Sequence, residues 1–178
     1  MKTNQFISGA KVLVVFLLMI VTFFRCTVSG DGFEDMEPAE DISFQIDIKK
    51  IRATDIKESE SSALEVYGVV SSRLNIGTIT DERELWSVDA DNYLSVDFND
   101  MQLSGSVTFT ISKDDLSGST ITTVADLMEL DFSNPDDDLG LESSTISLSE
   151  VESTEEFQLT FVQSGGQNVS LSYSITRL

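Results

Sequence analysis

Strict two-residue alternation is the feature that most constrains this chain. Ile42, Phe44, Ile46 and Ile48 alternate with Ser43, Gln45, Asp47 and Lys49. Side chains on an extended strand point to opposite faces in turn, so this pattern builds a strand with one buried face. The same period recurs at Leu64-Val66-Gly68-Val70, at Leu94-Val96-Phe98 and at Leu103-Gly105-Val107-Phe109-Ile111. It returns at Ile146-Leu148, Phe157-Leu159-Phe161 and Val169-Leu171-Tyr173-Ile175, and Leu85-Trp86 marks a further short strand. Val124 to Leu130 reads as one helical turn or as a strand. Gly165-Gly166, between two alternating runs, signals a hairpin. Short strands punctuated by turns predict an all-β fold, an eight-stranded antiparallel β-sandwich spanning residues 42–178.

Before that region the chain changes character. Lys2 and Lys11 give a positive start to an uncharged run, Val12 through Phe24. The run is too short to span a bilayer, which takes about 20 residues, and it suits the apolar part of a secretory signal. Small residues at Val28-Ser29-Gly30 place cleavage before Asp31, so residues 1–30 are expected to be a signal peptide and the protein secreted or extracytoplasmic. The alternatives are an uncleaved anchor and a lipid on Cys26, the chain's one cysteine; Arg25 beside it argues against the lipid. Residues 31–41, DGFEDMEPAED, read as an acidic flexible leader broken by Pro38.

Charge and missing residue types narrow the chemistry. All 31 acidic residues, but only eight of the eleven basic ones, follow residue 30, giving that part a formal charge of −23. Such a charge excludes nucleic acid and opposes bare anionic membranes. The chain has no histidine, and no cysteine after Cys26. Nucleophile–histidine pairs and ordinary zinc, copper or iron sites are therefore excluded. Paired carboxylates suit glycoside hydrolysis, but with so many acids any pair is unspecific, and the chain is expected not to be an enzyme.

Carboxylates suit calcium, which takes six to eight oxygen ligands in irregular geometry. Glu129-Leu130-Asp131 followed by Asp136-Asp137-Asp138, across the Asn134-Pro135 turn, is the cluster with ligand spacing; a solvated acidic loop is the competing account. Lys49-Lys50-Arg52 is the local basic patch and reads as a guard on an edge strand. Tyr67 and Trp86 are expected in the core or at its rim. Asn168-Val169-Ser170 is an N-glycosylation sequon.

The stretch Val107 to Ile121 resembles the middle of a C2 domain, as in synaptotagmins and protein kinases C. Glu129-x-Asp131-x5-Asp137-x2-Gly140 is similar to that family's acidic loop, acid-x-acid-x5-acid-x2-glycine. Ile146 to Val151, Val169 to Ile175, Ile42 to Ile48 and Glu65-Val66-Tyr67 resemble neighbouring strands. Departures are Glu129 for aspartate, Ser59 at a first-loop ligand position with Asp55, Glu58 and Glu60 nearby, and Val66 for proline. The resemblance implies a C2-like calcium-binding module, with Glu65, Glu129, Asp131 and Asp137 as ligands and a protein, glycan or lipid partner. The loop tip Phe132-Ser133-Asn134-Pro135 has no basic residue, which argues against membrane binding without calcium. A structural acidic sandwich without an ion is the alternative, and a carboxylate hydrolase a more distant one.

Overall fold

The computed structural model describes residues 40–57, 62–131, 135–163 and 166–178, and the statements below concern these. The expected signal segment, residues 31–39 of the expected leader, the first-loop residues Glu58, Ser59 and Glu60, the tip Phe132-Ser133-Asn134 and Gly165 lie outside them.

Ten strands form two antiparallel sheets. In chain order they are β1 (Asp41–Asp55), β2 (Leu64–Ile76), β3 (Ile79–Val88), β4 (Leu94–Val96), β5 (Met101–Gln102), β6 (Ser106–Ser112), β7 (Ser119–Glu129), β8 (Asp137–Ser147), β9 (Thr154–Val162) and β10 (Asn168–Arg177). The first sheet runs β5-β1-β10-β9, with β6 also on β1. The second runs β3-β2-β7-β8, with β4 also on β2. β3 and β4 follow one another along β2, and β5 and β6 share one edge of β1. Taken as two interrupted strands, these pairs bring the count to the eight positions expected.

The alternating residues form the core between the sheets. Phe44, Ile46, Ile51, Phe109, Phe161, Leu171, Tyr173 and Ile175 of the first sheet meet Leu64, Val66, Val70, Ile121 and Leu127 of the second in one cluster. The inward set on β1 changes from the even positions Ile42, Phe44, Ile46 and Ile48 to the odd positions Ile51 and Ala53, because a bulge falls between Ile48 and Lys50. A bulge adds one residue to one strand of a pair, and the inward set shifts by one with it.

Several expectations change. Val124 to Leu130 belongs to strand, as part of β7. β8 begins at Asp137, well before Ile146, and Leu148 opens a short 3-10 turn in which it is fully buried. β4 stops at Val96, so Phe98 lies in the following connection, 59% exposed. Lys49, Lys50 and Arg52 do not guard an edge. β1 is paired on both sides, and Lys50 and Arg52 face Asp100, at 2.6 and 4.0 Å. Asn168 sits within the ladder, opposite Val162 and Asp55, with its side-chain oxygen buried.

Candidate functional site at the loop end

Strand register shows which connections share an end. Val66 pairs with Glu129, and the Leu130 N–H donates to the Glu65 carbonyl at 2.8 Å. The β1–β2 and β7–β8 connections therefore leave the same end of the second sheet. Asp55 pairs with Asn168, and the Ala53 N–H donates to the Asp97 carbonyl at 2.8 Å. The β9–β10 and β4–β5 connections emerge at that end too.

The carboxylates expected to bind calcium divide between two faces. Residues directly opposite in an antiparallel pair share a face. Glu129 points inward with Val66, and both are buried. Asp137 lies opposite Glu129 at the start of β8 and is half-buried. Asp131 follows two residues past the end of β7, also half-buried. Glu65 is adjacent to Val66 on an extended strand, so its side chain is on the outer face with Tyr67. The register thus brings Glu129 and Asp137 together, with Asp131 beyond them, and turns Glu65 away. Among the described residues, no group of three or more Asp, Glu, His or Cys side chains is gathered closely enough to hold a metal ion. The described side chains fit calcium in donor chemistry and in sharing one end, and do not fit a ready-made cage.

Asp136, unassigned from the sequence, has a defined role. Its carboxylate accepts from the Tyr67 phenol at 2.7 Å and from the Asp131 N–H at 3.4 Å. The return of the β7–β8 connection is thereby tied to the outer face of β2. The Asp136 carboxylate beside Tyr67 raises the phenol above its ordinary pKa, because ionisation would replace a hydrogen bond with repulsion between two anions. Asp138 accepts from the Gly140 N–H at 2.8 Å, beside a bulge at which Gly140 takes a φ of +112°. This is a conformation for which glycine is suited, and it accounts for the glycine closing the acidic motif.

A cleft of about 490 Å³ adjoins this tie on the outer face of the second sheet. It is lined by the apolar or aromatic Tyr67, Gly68, Val69 and Val88 and by the polar Ser87, Asp89 and Asn92. Gly68 makes the close strand approach possible. It has a φ of +143°, and a β-carbon there would lie 2.1 Å from the Asp126 carbonyl oxygen. Asp89 and Asn92 are joined by an Asn92 Nδ2 to Asp89 Oδ1 hydrogen bond of 2.8 Å. The D-x-x-N spacing was the signal available for that pair, whereas a contact across 69 residues left none for Asp136.

No family model matches the chain, and no curated protein matches it. Solved structures do. A C2 domain of plant extended synaptotagmin 1 is similar over 76% of this chain and 93% of that one, at 10% identity and a TM-score of 0.41. A C2 domain protein from Ramazzottius varieornatus matches over 80% and 93%, at 12% identity and 0.35. Human GIVD cytosolic phospholipase A2 matches over 79% of this chain but 17% of its own length, at 15% identity and 0.41. Likeness at this level does not extend to what the chain binds. The fold itself, eight strand positions in two antiparallel sheets around one core, is an all-β sandwich.

Proposed function

We propose that this chain is an exported, non-catalytic binding module that meets its partner with the loop end of the sandwich, and that calcium is the ion this end takes. The observation that carries the reading is the register of β7 against β2 and β8. It sets Glu129 opposite Asp137 where two connections emerge together. Like charges directly opposite on a sheet are destabilising, and a cation between them removes the repulsion. The donors are all oxygen, the set calcium prefers. Glu129, Asp131 and Asp137 are the proposed ligands; Glu65 is left out because it faces the other side of the sheet. The apolar run Val12 to Phe24 and the cysteine-free chain beyond residue 30 support export without disulfides. A protein, glycan or lipid partner suits this end, and an anionic membrane does not without the ion.

A second reading, an acidic sandwich that binds no ion, is favoured by one observation: the described carboxylates do not converge in threes. Thermal unfolding separates the two. Binding to the folded state alone stabilises it by about 2.7 kcal/mol at 100 times the dissociation constant, and exported modules bind calcium with constants of about 0.1–1 mM. The melting temperature is expected to rise in millimolar calcium, to rise much less in magnesium, and to stop responding in the Asp131→Asn, Asp137→Asn double variant. An equal small rise with either cation, unchanged in the double variant, would leave only the ion-free sandwich.

A further inference from the structure

We propose that the cleft beside Tyr67 is a binding site for a neutral saccharide, one sugar ring lying against the Tyr67 ring and its hydroxyls meeting Asp89, Asn92 and Ser87. Small-molecule sites are concave, mostly apolar, and oriented by a few placed polar groups. This cleft has that make-up, with a volume of about 490 Å³. Its apolar lining is Tyr67, Val69 and Val88, and Val69 is 45% exposed.

Tyr67 is held before any ligand arrives. Its hydroxyl donates to Asp136 at 2.7 Å, so the ring does not have to be ordered on binding. Fixing a contact group in advance lowers the entropy lost on association. The rim is rich in acceptors. Asn92 spends one of its two amide donors on Asp89 Oδ1, leaving the second N–H, Asp89 Oδ2 and Asn92 Oδ1, while the Ser87 hydroxyl donates to Glu84 at 2.7 Å and keeps its lone pairs. A ligand meeting this rim must bring mostly donors and an acceptor for the Asn92 N–H, and sugar hydroxyls are both. Asp89 is the one charged residue of the lining, and an anionic ligand would meet it unopposed. A quaternary ammonium group, the cationic candidate, is held by cages of several aromatic rings, and this lining offers one.

The site lies on the outer face of the second sheet and uses none of the proposed calcium ligands, so it is tested with excess chelator present. The full chain, labelled with 15N, is titrated with cellotetraose, maltotetraose, mannotriose and chitotriose. At least one is expected to shift the Gly68, Val69 and Asn92 amides saturably, with a dissociation constant of about 1 mM, common for a small unaided contact. Tyr67→Ala is expected to weaken that binding about tenfold or more. Asn92→Ala, at an exposed position whose loss does not threaten the fold, is expected to weaken it about threefold. The proposal is overturned if no saccharide moves these amides, if binding survives both substitutions unchanged, or if choline chloride saturates the cleft and the sugars do not.

Discussion

The Tyr67 hydroxyl and the Asp136 carboxylate stand 2.7 Å apart although 69 residues separate them. The bond joins the outer face of β2 to the connection that carries Asp131 and Asp136. Tyr67→Phe keeps the ring and deletes the donor. A net loss of about 1 kcal/mol is expected in urea unfolding, since hydrogen bonds to charged groups sit at or above the ordinary range. In wild type, Tyr67 should ionise late on alkaline titration because Asp136 raises it, as should Tyr173 because it is buried. The Tyr67 contribution should vanish in Tyr67→Phe and move to lower pH in Asp136→Asn, while that of Tyr173 stays.

Gly68 supports a second prediction. Gly68→Ala should destabilise the fold by about 2–4 kcal/mol, since the new methyl would overlap the Asp126 carbonyl and the φ of +143° resists any side chain. Gly118→Ala is the control. Nothing lies within 4 Å of a β-carbon there, and its effect should stay within about 0.5 kcal/mol. Equal losses at both positions would show that the second sheet relaxes around Gly68.

Acid should act on the fold in two opposed ways. Asp47 is lowered despite its partial burial, which pushes it up, because Gln45, Ser106 and Lys49 bond its charged form. The Lys50 ammonium lowers Asp100, and Arg73 lowers Glu82. A group lowered in the folded state contributes stability above its unfolded pKa and loses it as pH falls through the folded value. The unfolded values lie near about 4. Acidification toward about pH 5 first relieves repulsion in a chain of formal charge −20, and stability should hold or rise. Below about pH 4 it should fall as these carboxylates protonate. Lys50→Met should return Asp100 toward its ordinary pKa, visible in the side-chain resonance, and make the acid limb shallower.

Phenylalanines separate core from surface. Phe44→Ala and Phe161→Ala remove fully buried rings and should cost about 3–5 kcal/mol each. Phe98→Ala removes a ring that is 59% exposed and should change stability by less than about 0.5 kcal/mol. If Phe98→Ala proved as costly, the β4–β5 connection would have to pack against something.

Most of the fold was legible in the sequence because burial on one face writes itself as alternation. Phe98 misled, since it keeps the phase of Leu94 and Val96 after the strand has ended. β7 was ambiguous for the opposite reason. Its inward positions include Ser119, Thr123 and Glu129, so the polar and apolar residues do not separate. The Ser72 and Thr123 hydroxyls, 3.3 Å apart, satisfy part of that polar interior across the strands. The acidic motif was legible as a cluster, but spacing along one strand cannot tell which face a residue on another strand will share. Glu65 and Glu129 are one register step apart, and that step decides the face.

The pairing of β1 with β10 has a consequence for biosynthesis. Phe44 lies beside Arg177 and Ile46 beside Ile175 in the middle of the first sheet, so the first of the described strands waits for the last. A nascent chain emerging from the ribosome holds β1 with its central partner still unmade, and that sheet cannot close until β10 has cleared the exit tunnel. Contacts between distant segments form slowly because the intervening chain must be ordered first. Stalled or truncated products lacking β10 should therefore remain open, with the apolar face of β1 offered to chaperones, and be cleared by proteases in place of accumulating as a shortened fold.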